Sequence, residues 1–298
     1  MTGIEVRARD LIRVYQLGNV EVQALRGLSM EVEGGEMVSV IGPSGSGKTT
    51  LLNIVGGLDQ ATAGHVQVGE VSVTALQPSE LVNFRRKTVG HIFQSLNLIP
   101  TLTAAENIEL PMIAAGASRN SRHGRASELL EVVGLTDRAK HKPDEMSGGE
   151  QQRVAIAAAL ANDAPVLLAD EPTGELDTLN AKVVVDFLSR INREFGKTVV
   201  MVTHDPSVAR AADRILKIED GRIRAALSPA QITEEEAAGS YVDQLRARVV
   251  DIDKQLAELD QEFKAGKLSG DEYVERRQNL KRTKASLNEE LHRMGVVT

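Results

Sequence analysis

The chain has 298 residues, of which 42% are hydrophobic and 3% aromatic, and it carries a net charge of −7. That length suffices for one large domain and a smaller one around an aliphatic core. The absence of cysteine excludes disulfides and thiolate metal sites and suits a cytosolic protein, and the acidic balance argues against a general nucleic-acid footprint. Glu5, Arg7, Arg9, Asp10 and Arg13 do not compose a signal peptide. No apolar run approaches a membrane span, so a soluble protein is expected and any membrane role requires a partner.

In chain order, residues 4–15 and 20–32 carry alternating or clustered apolar residues around Gly18-Asn19 and predict a strand pair. Tyr15 reads, on its own, as a strand packing residue. Residues 37–41 are short, apolar and rich in β-branched side chains, which predicts a buried strand. They run into Gly42-Pro43-Ser44-Gly45-Ser46-Gly47-Lys48-Thr49-Thr50, which fits G-x-x-x-x-G-K-[ST] from Gly42 to Thr49. Residues 51–55 lack Gly and Pro and predict a helix. Strand, glycine loop and helix are the context a phosphate loop requires. Glycines let backbone N–H groups turn toward phosphate oxygens, and the helix N-terminus adds partial positive charge. Lys48 can reach the β- and γ-phosphates of a nucleotide, and the Thr49 hydroxyl can ligate Mg²⁺.

Residues 65–68 and 71–73 read as short strands. Residues 79–87 read as a helix capped by Ser79, and 89–93 as a buried strand that Gln94 ends. From 95 to 161 the composition turns helical, with a capping box at 103–106 and a helix over 121–133. Ser147-Gly148-Gly149-Glu150 then opens an alanine-rich helix to residue 161. Adjacent glycines at a helix start form a second backbone-amide site for an anion, with a plain N-cap as the alternative. Residues 166–169 predict a buried strand ending in Asp170-Glu171. The first acid suits a Mg²⁺ shell, and the second can polarise water. Residues 178–195 predict a helix. Residues 198–203 predict a strand ending at His204, on the same crevice as the other strand ends. Residues 215–218 and 222–226 form a hairpin across Asp220-Gly221.

Residues 227–240 read as a linker, with Pro229, Gly239 and three consecutive glutamates. Beyond it Val242, Leu245, Val249, Ile252, Leu256, Leu259 and Phe263 recur at steps of three and four, a heptad seam. Ala265-Gly266-Lys267 breaks the seam, and Ser269 to Glu272 offers a capping box. Tyr273, Leu280, Leu287, Leu291 and Met294 mark a second stripe interrupted by Arg277 and Lys284. An antiparallel helical hairpin is expected over 241–298, as an interaction module with an unknown partner. The seam is long enough that part of it should stay wet in a single hairpin, to be covered by a second copy or a segment of a membrane partner. A brace against the chain's own larger domain is the alternative.

The ordered motifs Gly42–Thr50, Gln94, Ser147–Gln152, residues 166–171 and His204 resemble the ATPase subunit of an ATP-binding-cassette (ABC) system. The resemblance covers residues 1–226. It implies an α/β phosphate-loop ATPase fold of the ABC type: a mixed sheet core, an antiparallel β subdomain and a helical subdomain inserted at about residues 95–163. The C-terminal hairpin is an addition to that pattern. ATP and Mg²⁺ are the implied ligands. Tyr15 matches the aromatic that stacks on adenine. Gly42, Pro43, Ser44, Gly45, Ser46, Gly47, Lys48, Thr49 and Thr50 match the phosphate cradle. Thr49 and Gln94 help hold Mg²⁺, with Asp170 in its outer shell. Glu171 matches the general base, and His204 the residue that contacts the γ-phosphate. Ser147, Gly148, Gly149 and Glu150 reach the nucleotide of the opposite subunit, and Asp177 lies at the seam of a homodimer enclosing two ATP molecules.

Leu25-Arg26-Gly27, Gly56-Gly57-Leu58-Asp59, residues 92–100 and residues 102–108 resemble one branch, the ATPases of bacterial lipoprotein-release, macrolide-export and cell-division systems. That implies a cytoplasmic subunit, peripheral on the inner face of the membrane, bound to a membrane permease and not to nucleic acid. Met146 replaces the usual leucine before the signature, and Ala158 stands where the family often has arginine. A soluble ABC ATPase acting on DNA or ribosomes, and a non-enzymatic scaffold, are the competing readings.

Overall fold

Strands β3 (Met37–Ile41), β7 (Val166–Asp170) and β8 (Thr198–Thr203) are buried along nearly their whole length. This is the pattern of parallel strands covered on both faces. In the computed structural model, which describes residues 3–18, 20–174, 176–232, 234–264 and 269–293, they form the middle of a six-stranded sheet. β6 (Val89–Ile92), β9 (Arg214–Glu219) and β10 (Arg222–Leu227) complete it in the order β10-β9-β3-β8-β7-β6. All neighbours are parallel except β10 against β9.

Side-chain alternation divides this sheet between two cores. Met37, Leu167, Ala169, Val199 and Met201 face one cluster. Val38, Val40, Val166, Leu168, Val200 and Val202 face the other. The second cluster is closed by an antiparallel sheet of β1 (Val6–Leu17), β2 (Val20–Val32), β4 (Ala63–Val68) and β5 (Val71–Ser72), in the order β2-β1-β4-β5. Helices α1 (Lys48–Val55) and α2 (Pro78–Lys87) contribute to it. The first cluster is filled by α3 (Ala104–Ala114), α4 (Arg119–Val132), α5 (Gly148–Leu160) and α6 (Thr178–Phe195). A four-residue helix, α7 (Pro206–Ala209), follows β8. Ile232 ends this unit in a small cluster with Ala209 and Ile215.

Local chemistry accounts for the helix starts. Thr103 and Glu106 make the expected box: the Thr103 N–H donates to Glu106 Oε2 at 2.8 Å and the Glu106 N–H to Thr103 Oγ1 at 3.3 Å. The cap expected at Ser79 lies instead at Gln77, because Pro78 occupies the first helical position, where its missing N–H costs nothing. Val73, expected in a strand, opens a 3-10 turn, and Phe93 lies just past β6.

The chain divides into two compact units, Met1–Ile232 and Thr233–Thr298. The linker expected over 227–240 is shorter than that. β10 reaches Leu227, a 3-10 turn spans Pro229–Gln231, and α8 (Glu234–Lys264) takes in the glutamates and Gly239. One glycine in a helix costs only about 1 kcal/mol, which the surrounding Glu and Ala residues offset. α9 (Gly270–Arg293) follows, with the Glu272 N–H donating to Ser269 Oγ at 3.3 Å. The expected break at Ala265-Gly266-Lys267, Met294, Asn19 and the side chain of Val242 lie outside the described residues.

The seam expected to stay partly wet is largely covered within the hairpin, while Phe263 at its end stays 40% exposed. Leu245, Ile252, Leu287 and Leu291 form a buried cluster, with Val249, Leu256 and Leu280 packed against it, and Leu259 is buried as well. Phe263 stacks on Tyr273 with centroids 4.2 Å apart. The charges that interrupt the second stripe serve the same interface: Arg277 pairs with Asp260 and Lys284 with Asp253. Asp260 also accepts from the Tyr273 hydroxyl at 2.7 Å.

Candidate nucleotide site

β3 delivers the chain to the glycine loop, and close backbone contacts shape that loop. A Cβ at Gly42 would lie 2.2 Å from the Ile218 carbonyl oxygen, and one at Gly47 2.6 Å from that of Ala24. Gly45 and Gly47 have φ of 78° and 100°, conformations that favour glycine. Gly47 caps α1, so the unpaired N–H groups of its first turn continue the loop. Lys48 is buried, and its Nζ donates to the carbonyls of Gly42 at 2.8 Å and Pro43 at 3.0 Å. Burial pushes its pKa down, against the opposing pull of Glu171 and Asp170. Ser46 Oγ is buried without a hydrogen-bond partner. The loop thus holds an inward cation and an orphaned hydroxyl in a backbone cradle, a donor set that fits a polyphosphate.

Parallel neighbours bring the remaining groups to the same sheet edge. Ile41 pairs with Thr203, and Asp170 with Val202. The Thr49 hydroxyl donates to Asp170 Oδ1 at 3.1 Å. Burial, aided by the Glu171 charge, raises the Asp170 pKa against the Thr49 hydrogen bond and the Lys48 charge. Glu171 leaves β7 at φ 43°, uncommon for a non-glycine residue, with its N–H on the Val202 carbonyl at 2.9 Å. Its Oε2 lies 3.0 Å from His204 Nδ1. Burial pushes the Glu171 carboxyl up, but the His204 hydrogen bond and charge, with Lys48, outweigh it and hold the pKa below its ordinary value. Gln94 lines an open cleft of about 460 Å³ with Thr49, Asn53, Leu58, Phe93, Ser95 and Asp170. A hydroxyl, an amide and one acid suit a cation that keeps waters and phosphate oxygens in its shell, as Mg²⁺ does.

The signature residues form a second group. Ser147 caps α5: its N–H donates to Glu150 Oε2 at 2.8 Å, and its Oγ accepts from the Glu150 N–H at 3.3 Å. Glu150 is therefore turned back on the cap and held by Arg138 Nε at 3.2 Å. Asp177 caps α6, accepting from the Asn180 N–H at 2.9 Å and from its side-chain amide at 2.6 Å. A Cβ at Gly149 would lie 2.3 Å from Asn180 Oδ1, so Asn180 ties the Asp177 turn to the signature helix. Among the described residues no hydrogen bond joins this group to the phosphate loop.

Tyr15 stands beside α1. Its hydroxyl donates to Asp59 Oδ2 at 2.6 Å and lies 3.5 Å from Thr50 Oγ1. Asp59, Arg13, Arg138 and Asn180 belong to the site only through contacts made in the folded chain. Only Asp59, inside the branch pattern Gly56-Gly57-Leu58-Asp59, carried a signal that could have singled it out.

The family profile described as ABC transporter matches residues 25–174. This chain belongs to the ABC transporter family. An uncharacterized ABC transporter ATP-binding protein of Thermotoga maritima is 51% identical over 214 residues, 72% of this chain and 91% of that protein. Another from Methanocaldococcus jannaschii, MJ0796, is 46% identical over 73% of this chain and 94% of its own length. A macrolide export ATP-binding/permease protein, MacB, of Psychrobacter cryohalolentis is 43% identical over 80% of this chain, which spans only 38% of that longer protein. A dimeric structure of the MJ0796 cassette superposes with a TM-score of 0.71 at 43% identity, covering 75% of this chain and 98% of that one. A dimeric post-hydrolysis state of the same cassette, bound to ADP and Pi, superposes with a TM-score of 0.70. The chain is an ABC ATPase, and its relatives place it in the branch that includes MacB-type proteins.

Proposed function

We propose that this ABC ATPase drives a separate membrane permease of the lipoprotein-release or macrolide-export type from the cytoplasmic face. Two copies close head to tail around two ATP molecules. The observation that carries the reading is the single strand edge where Lys48, the Thr49–Asp170 pair and the Glu171–His204 pair converge. Lys48 exchanges its loop carbonyls for the β- and γ-phosphates. Thr49 and Gln94, with Asp170 behind them, would hold Mg²⁺, which neutralises phosphate charge when bound. Glu171 accepts a proton from the attacking water, and His204 orients Glu171 and the γ-phosphate. Ser147, Gly148 and Gly149 offer their hydroxyl and N–H groups to the opposite subunit's nucleotide. Glu150, paired with Arg138, braces that turn.

A membrane partner is supported by the permease half named in the MacB relatives and by apolar exposure on the helical insertion. Ile99, Leu110 and Ile113 are 38%, 39% and 50% exposed, and Leu58, at 45%, lines the cleft with Gln94. Among the described residues no helix is long and apolar enough to cross a membrane. Substitution of Glu171 by Gln tests the chemistry. Hydrolysis should fall about 10²–10⁴-fold while ATP binding persists and an ATP-bound dimer accumulates on size exclusion. Unchanged hydrolysis with monomer only would remove Glu171 from the role. Copurification of a permease from detergent-solubilised membranes tests the partner.

A further inference from the structure

Tyr15 is anchored at its tip and covered on one face. Asp59 Oδ2 accepts its hydroxyl at 2.6 Å. The other carboxylate oxygen, Oδ1, accepts from Arg13 at 2.7 Å and from the Gln60 N–H at 2.7 Å. The Arg13 guanidinium lies 4.4 Å from the centroid of the Tyr15 ring. One carboxylate thus fixes both the phenol and the cation stacked on it. The pair is only 23% and 20% exposed at Arg13 and Asp59, so the contact is partly desolvated.

The turn bearing Asp59 is itself fixed. The N–H groups of Leu58 and Asp59 both donate to the Asn53 carbonyl, at 2.8 and 3.1 Å. Gly57, at φ 66°, is pressed so closely against Leu81 that a Cβ would lie 2.9 Å from it. Asp59 is therefore rigidly coupled to α1, the helix that carries Lys48 and Thr49. A hydrogen bond from a phenol to a carboxylate enriches the ring's electron density, which strengthens the cation–π contact with Arg13. Arg13 occupies one ring face, so a planar base would have to stack on the other. The Arg13–Asp59 pair is neutral in sum and adds no net charge near a triphosphate.

We infer that Asp59 is a positioning residue for the nucleotide base: through Tyr15 and Arg13 it fixes which ring face adenine meets, at a set distance from the phosphate loop. The inference rests on the reading of Tyr15 as the adenine platform. The test compares ATP with inorganic tripolyphosphate, which lacks a base, by calorimetry on the full chain. Asp59→Ala should weaken ATP binding about 3–10-fold, the range of one lost hydrogen bond, and leave tripolyphosphate binding unchanged. Tyr15→Phe, which deletes only the hydroxyl, should show the same ATP-selective loss and carries the test if Asp59→Ala does not fold. In a Tyr15→Ala background, Asp59→Ala should add nothing. Equal weakening of both ligands, or no weakening in either variant, overturns the positioning role. If Tyr15→Ala lowers the ratio of ATP to tripolyphosphate affinity while Tyr15→Phe and Asp59→Ala do not, the inference alone falls. If Tyr15→Ala leaves that ratio unchanged, the adenine platform falls and takes the inference with it.

Discussion

Lys48 is poised by its own loop: its ammonium is buried on the Gly42 and Pro43 carbonyls, at a cost in desolvation that polyphosphate binding would recover. Lys48→Ala should therefore abolish most ATP affinity and nearly all hydrolysis, and near-normal turnover in that variant would relocate the site. Glu171 illustrates a different economy of placement. A left-handed backbone at a non-glycine residue costs on the order of 1–3 kcal/mol. Here it turns the carboxylate onto His204 while its N–H stays on the Val202 carbonyl. Gly149 is constrained by a neighbour, because a methyl group there would collide with the Asn180 amide. Gly149→Ala should reduce hydrolysis sharply with little effect on ATP binding to the single subunit. Asn180→Ala in the same chain should restore part of the rate. A double variant no better than Gly149→Ala would mean that the N–H groups themselves, not the Asn180 contact, set the loss.

The elements that carry the site were legible because their signals are local. Residues 37–41, 166–169 and 198–203 are short β-branched or aliphatic runs, and they became β3, β7 and β8 with at most one residue added. The boundary of α8 was not legible, since Pro229, Gly239 and a glutamate run read as a linker when each is weighed alone, yet the glutamates and Gly239 propagate a helix. Asp59 could not be given its role from sequence, because Tyr15 lies 44 positions away and meets it only once β1 has folded beside α1. One inter-element clamp of this kind yields a pH prediction. Arg214 on β9 grips Glu36, just before β3, through both carboxylate oxygens at 2.7 and 2.9 Å. Burial pushes the Glu36 carboxyl up, but the Arg214 hydrogen bond, the Glu33 backbone and the Arg214 charge together hold it below its ordinary 4.5. A depressed folded pKa stabilises above the unfolded value, and that stability is lost as pH falls through the folded one. Glu36→Gln should lower the melting midpoint at neutral pH and flatten its decline below about pH 4.5; a parallel downward shift at all pH values would rule the clamp out as the titrating group.

At the scale of the whole molecule, each unit carries a core of its own. The cassette's buried clusters are built from residues up to Ile232, and the hairpin's from Leu245 to Leu291. Much of the heptad seam is buried between α8 and α9, but Val250, Phe263 and Val274 stay 68%, 40% and 51% exposed. Its proposed role is therefore capture of a partner, a second copy or another protein, through these exposed residues. Two truncations separate this from a brace. A cut after Ile232 should leave soluble protein with ATP binding, basal hydrolysis and melting temperature retained, and should weaken dimerisation or partner capture. A cut after Leu227 should behave differently, because it also removes Ile232 from its cluster with Ala209 and Ile215. Loss of a buried isoleucine costs about 2–5 kcal/mol, enough to lower the melting temperature by several degrees in a domain of this size. Aggregation or lost ATP binding after the cut at Ile232 would instead make the hairpin a brace for its cassette. Equal stability of the two truncated chains would show that Ile232 is not the last residue the cassette needs.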